Sequence, residues 1–149
     1  MTDMQCQIPD CNPTSQEIGH ILKNCKRLAI VGLSPKEERD SNKVAKYLMG
    51  HGYEIIPVNP GQKEILGRAC FRSLKEIPFP VDLVDLFLNP ERVPPIVEEA
   101  IEIGARVVWM QLGVVHNEAA EKARKAGLKV IMDRCIKQEH EKIVQPPSH

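Results

Sequence analysis

Leu28-Ala29-Ile30-Val31-Gly32-Leu33-Ser34-Pro35 is the stretch that decides the fold. Four apolar residues run into a glycine, and a few polar residues later Ser41-Asn42-Lys43-Val44-Ala45-Lys46-Tyr47-Leu48-Met49 opens a helical pattern. A strand that passes through glycine into a helix places backbone N–H groups and the positive end of a helix dipole where a phosphate or pyrophosphate can sit. Gly32 lets a phosphate approach the backbone, the Ser34 hydroxyl can donate to it, and Lys36, Arg39 and Lys43 add local positive charge.

Working outward from this turn, the chain alternates strands and helices. Thr14-Ser15-Gln16-Glu17 offers a cap for a short leading helix with Ile18, Ile21 and Leu22 on one side. Strands are expected at 28–31, 53–58, 81–88, 106–112 and 128–132, and helices at 42–49, from Asn89-Pro90-Glu91 to 103, at 117–126 and at 136–143. The segment 64–71 reads as a turn leading to a short strand, and 73–77 as a single helical turn. Apolar strands separated by helices of about a dozen residues call for parallel pairing, with both faces of the sheet covered. The expected architecture is α/β: a three-layer, doubly wound, mainly parallel sheet of the Rossmann-like kind. It forms one domain over 14–145, between a flexible arm at 1–13 and a frayed tail at 146–149.

Size and charge narrow the function. A chain of 149 residues can bury about two-thirds of its unfolded surface without a metal or disulfide staple. Twenty basic residues balance twenty acidic ones, which argues against the basic footprint of a nucleic-acid binder, so any phosphate must be captured locally. No stretch approaches the ~20 apolar residues that span a bilayer, and the first residues lack the pattern of a signal peptide. A cytoplasmic location is expected. Cys6, Cys11, Cys25, Cys70 and Cys135 form no CxxC pair, which speaks for free thiols rather than a zinc site or a secreted disulfide framework.

In a doubly wound sheet, ligands bind beyond the carboxyl ends of the strands. The first end carries Gly32, Leu33 and Ser34 without a full GxGxxG. The second carries Val58-Asn59-Pro60 with Lys63 beyond, where an NAD site would have Asp or Glu for the ribose diol. Its absence favours a nucleotide whose ribose bears a 3′-phosphate. Further ends offer Leu88-Asn89-Pro90, with Asn89 either a ligand contact or a helix cap, and Gln111 and Gly113. These amides can orient a ligand but cannot transfer protons at neutral pH. Asp133-Arg134-Cys135 closes the set, with a thiol that is reactive if Arg134 lowers its pKa and an inert buried cysteine otherwise.

With these residues assembled, the chain resembles the small single-domain CoA-binding proteins, whose Rossmann-like domain is similar to the N-terminal domain of the succinyl-CoA synthetase alpha subunit. The resemblance covers 27–141 and rests on Val31-Gly32-Leu33-Ser34-Pro35, Arg39-Asp40-Ser41, Ile56-Pro57-Val58-Asn59-Pro60, Val84-Asp85-Leu86-Phe87, Val108-Trp109-Met110-Gln111-Leu112-Gly113 and Met132-Asp133-Arg134-Cys135. It implies that Gly32, Leu33 and Ser34 face the pyrophosphate of coenzyme A or an acyl-CoA. It also implies that Val58, Asn59, Pro60, Leu88, Asn89 and Pro90 flank its adenosine and pantetheine portions, and that Gln111 to Gly113 closes the far side. The larger synthetases add a phosphohistidine domain and a partner subunit, so the resemblance extends to binding rather than ligation. The expected function is non-catalytic binding of a small nucleotide ligand in sensing, transport or regulation, with a protein partner open. The alternatives are a small nucleotide-dependent or thiol-redox enzyme using Cys135, or an NAD(P)-binding protein.

Overall fold

The computed structural model describes residues 12–144, so Cys6, Cys11 and the tail expected at 146–149 lie outside the described residues. Five strands form one parallel sheet: β1 (Arg27–Val31), β2 (Glu54–Val58), β5 (Leu83–Leu86), β6 (Val107–Met110) and β7 (Lys129–Ile131), in the order β2-β1-β5-β6-β7. A two-stranded antiparallel hairpin, β3 (Glu64–Ile65) with β4 (Arg68–Ala69), occupies the stretch expected to hold a turn and a short strand. Phe71 then pairs with Val58 at the end of β2, which returns the chain to the sheet edge.

Period-two alternation sends the strand side chains into two separate cores. Leu28 and Ile30 of β1 point to the face covered by α1 (Ser15–Lys23), α2 (Asp40–Gly50) and α5 (Ile136–Val144), where Leu22, Leu48, Trp109 and Ile136 are fully buried. Ala29 and Val31 point to the other face, under α3 (Val93–Glu102) and α4 (Asn117–Lys125). Three layers result, as the pattern predicts. The α1 cap is a reciprocal one: Thr14 Oγ1 accepts from the Glu17 amide, and Glu17 accepts from the Thr14 amide at 2.9 Å.

Two expectations need correction at this level. Asn12 was expected in a flexible arm, but its side chain donates to the Met132 carbonyl at 2.8 Å and accepts from the Met132 amide at 2.7 Å, tying it to the end of β7. Asn89 does not cap a helix with its side chain; the chain passes through a 3₁₀ turn, Pro90–Arg92, before α3 begins at Val93. Pro94 and Pro95 are tolerated there because the first amides of a helix have no acceptor within it.

The strand order locates the site. From β1 the chain moves out to β2 on one side, then crosses to β5 on the other, so the connections diverge between β1 and β5. The gap they leave at the carboxyl ends of these strands is the binding crevice of doubly wound sheets.

Candidate ligand-binding cleft

A cleft of about 950 Å³ opens at this divergence. Its size lies near the top of the ~300–1,000 Å³ typical of small-molecule sites. Val31, Gly32 and Ser34 come from the β1 turn, Val58 to Pro60 from the end of β2, and Phe87 to Asn89 from the end of β5. Gln111 and Leu112 follow β6, and Arg39 to Ser41, Cys135 and Lys137 bring in the starts of α2 and α5. Among the described residues, five cationic side chains, Arg39, Lys43, Arg72, Arg92 and Lys137, share the walls with two carboxylates, Asp40 and Glu99. Lys137 is paired with Glu141 at 3.3 Å, whereas Arg39, Lys43, Arg72 and Arg92 take part in none of the ion pairs among the described residues. The cleft therefore attracts an anion.

The β1 turn is built differently from the sequence expectation. The Gly32 amide donates to the Val58 carbonyl at 2.9 Å, and the Ser34 amide donates to Ser41 Oγ at 3.0 Å, so neither is available to cradle a diphosphate. Gly32 is required for another reason: with φ at 87°, a Cβ there would stand 2.3 Å from the Phe87 carbonyl oxygen of the neighbouring strand end. The glycine lets β1 and β5 close upon each other. Ser34 Oγ accepts from the Lys36 amide at 3.1 Å, which leaves its own hydrogen free to donate. Asn42, buried at the start of α2, braces the turn by donating to the Ser34 carbonyl at 2.8 Å. The anion-binding feature that remains is the start of α2, where no side chain caps the helix and Arg39, Asp40 and Ser41 reach the cleft.

Of the other residues read from the sequence, Val58, Asn59, Pro60, Leu88, Asn89 and Gln111 line the cleft, as do Gly32, Ser34, Arg39 and Lys43. Leu33, Lys36, Lys63, Pro90 and Gly113 do not line it: Leu33 is wholly buried in the core and the Gly113 amide donates to Asp133 Oδ1 at 2.8 Å. Asn59 is a brace rather than a free amide. Its Nδ2 donates to the Leu33 carbonyl at 3.0 Å and its Oδ1 accepts from the Gly61 amide at 2.8 Å, joining the ends of β1 and β2. Gln111 is 4% exposed and donates to Asp85 Oδ1 at 2.6 Å. Burial pushes the Asp85 carboxyl up to about 8, with the Gln111 hydrogen bond pulling the other way.

Arg72, Arg92 and Lys137 in the cleft wall, and Asp85 behind Gln111, fall outside the sequence expectation. Arg72 follows Phe71 and reaches the cleft because that residue pairs with β2, a contact between positions 13 apart in the chain. Arg92 lies three residues beyond Asn89, and its distance from the strand end was the signal that could have found it.

Cys135 stands in the cleft wall, half-buried against the α2 and α5 core. The Arg134 guanidinium donates to the Asp133 carbonyl at 3.1 Å, and the Arg134 carbonyl accepts from the Trp109 indole. His116 caps α4 by accepting from the Ala119 amide at 3.1 Å, while His51 and His140 pack around Tyr47. Among the described residues, no histidine lines the cleft beside the thiol.

The model of a family described as "CoA binding domain" matches residues 26–141. The chain is 46% identical over 129 residues to the uncharacterized protein YneT of Bacillus subtilis, covering 87% of this chain and 96% of that one. It is 30% identical over 121 residues to an ADP-forming acetate–CoA ligase of Archaeoglobus fulgidus, covering 74% of this chain but only 18% of the ligase. A solved structure of a hypothetical protein from Pyrococcus horikoshii superimposes with a TM-score of 0.89 at 45% identity, covering 93% of this chain and 97% of its own.

Proposed function

The chain belongs to the CoA binding domain family, and on that premise we propose that the cleft between the ends of β1 and β5 binds coenzyme A or an acyl-CoA without transforming it. Four cationic side chains with no ion-pair partner among the described residues, two of them at an uncapped helix start and two elsewhere in the cleft wall, carry the reading. Arg39 and Lys43 stand with the start of α2 and suit the pyrophosphate. Arg72 and Arg92, on the opposite wall, suit the 3′-phosphate. Val58 and Pro60 supply an apolar edge for the adenine, and the pantetheine arm runs towards Gln111 and Cys135.

What the cleft offers chemically supports a sensing, carrier or regulatory role. Among the described residues, Cys135 has no base beside it in the cleft wall, and Gln111 cannot transfer protons at neutral pH. The acetate–CoA ligase is more than five times longer than the segment matched here, so its reaction is not carried over. Free thiols at Cys25, Cys70 and Cys135 support a cytoplasmic setting. No helix among the described residues is long and apolar enough to cross a membrane.

Calorimetric titration with CoA, dephospho-CoA, ADP and NAD tests the proposal. CoA should bind most tightly, and removal of the 3′-phosphate should weaken binding by about tenfold or more, the loss of one charge-assisted contact of ~1.5–3 kcal/mol. At a hundred times its Kd, CoA should stabilise the fold by about 2.7 kcal/mol. Binding of NAD without binding of CoA would overturn the reading.

A further inference from the structure

Asp85 lies in the central strand with none of its surface exposed. Oδ1 meets the Gln111 amide, while Oδ2 has no hydrogen-bond partner among the described residues. Its register neighbours, Ile30 on β1 and Trp109 on β6, are both fully buried. An ionised carboxylate here would hold a full charge against a single donor. A neutral carboxyl leaves only a carbonyl lone pair unpartnered, which costs far less. The upward push to about 8 agrees, and makes Asp85 an acid that is protonated at neutral pH.

Protonation changes what the 2.6 Å contact can be. A primary amide can turn either end towards its partner. A protonated Asp85 donates its O–H to Gln111 Oε1, which turns the Gln111 NH₂ to the cleft. An ionised Asp85 accepts from that NH₂ instead, which turns Oε1 to the cleft.

We infer that Asp85 is a positioning residue that sets which end of the Gln111 amide the ligand meets. In the protonated state Gln111 donates to a carbonyl oxygen on the amide- or thioester-bearing arm of the ligand; on ionisation it presents an acceptor that repels that oxygen. The identity of the arm rests on the CoA reading above. Other charged groups on this side are accounted for. Arg39, Asp40 and Lys43 of α2 line the cleft mouth, with Cys135 and Lys137 at the start of α5. Deeper on α5, Glu139 pairs with Lys142 at 3.1 Å and His140 Nδ1 meets the Tyr47 hydroxyl at 2.8 Å. From α1, the inward residues are Ile18, Gly19, Ile21 and Leu22. None of these groups pairs with Asp85.

The test compares S-methyl-CoA, in which no thiol titrates, with adenosine 3′-phosphate 5′-diphosphate, which lacks the arm, by calorimetry from pH 7 to pH 9. The affinity ratio of the two should fall about tenfold over this range, as expected when binding requires the protonated form of a group titrating near pH 8. Asp85→Asn, whose amide can donate to Gln111 at every pH, should abolish the step and keep binding. Gln111→Met, which has no donor to offer at any pH, should weaken S-methyl-CoA at pH 7, remove the step and leave the armless nucleotide unchanged. Parallel pH profiles for the two ligands, or a step that survives in Asp85→Asn, overturn the inference while leaving CoA binding intact. Failure of both ligands and of CoA to bind at any pH overturns the binding reading and the inference together. If Asp85→Asn does not fold, the wild-type comparison decides alone.

Discussion

Replacing Gly32 by alanine should damage the fold rather than only the ligand site. The added Cβ would lie 2.3 Å from the Phe87 carbonyl oxygen, 3.2 Å from its carbonyl carbon and 3.3 Å from a Leu88 methyl. The first two are backbone atoms of the neighbouring strand end, so relief requires β1 and β5 to separate, where Phe87 donates to the Val31 carbonyl at 2.9 Å. Overpacking of this kind costs about 1–3 kcal/mol. A non-glycine residue held at φ 87° adds about 1–2 kcal/mol. Together the loss should reach about 2–5 kcal/mol, or roughly 10 °C in Tm near the middle of that range at about 2–4 °C per kcal/mol for a chain of this size. Thermal unfolding followed by circular dichroism measures it, with Gly50→Ala as control: Gly50 is helical and a Cβ there meets nothing within 4 Å. The control should be neutral or stabilising by up to ~1 kcal/mol. A Gly32→Ala protein melting within a degree of the wild type would refute the close-approach argument and return Gly32 to the role of a phosphate-facing glycine.

Arg72→Ala and Arg92→Ala should each weaken CoA binding by about tenfold with little change in Tm, whereas Lys63→Ala, outside the cleft, should leave the Kd unchanged; calorimetry separates the three. Asn59→Ala should lower stability by about 1–3 kcal/mol, because it leaves the Leu33 carbonyl and the Gly61 amide without their partner, as denaturant titration would show. Burial, with His51 beside it, lowers the His140 pKa below its usual value near 6.5. The folded state then binds fewer protons than the unfolded one, so stability should fall as pH drops from 6.5 through the folded-state pKa. Urea titrations at pH 7.5 and 5.5 should show this slope, and His140→Gln should flatten it; an unchanged slope would assign the pH effect to other groups.

The β1 turn marks the boundary between what could be read in the sequence and what could not. Its strand, glycine and helix are visible as a local pattern, and the elements appear where that pattern puts them. The fate of its amides is not visible. Val58 accepts from Gly32 across 26 positions, and Ser41 accepts from Ser34 only because the connecting loop folds back on itself. Lys36 and Lys63 lie near the strand ends in sequence but outside the cleft, whereas Arg72 and Arg92 line it through loop packing and a 3₁₀ turn.

By itself, the sequence determined the alternation of parallel strands and helices, the apolar faces that build two cores and the reciprocal cap on α1. These follow from hydrogen bonds and side-chain periodicities that span only a few residues. Tertiary structure alone decided which polar groups are already satisfied and which remain open to a ligand. Asp85 and Gln111, 26 positions apart, meet because β5 and β6 lie side by side. Burial between two apolar cores then makes that carboxyl a proton holder, a property that arises from its surroundings rather than from the residue itself.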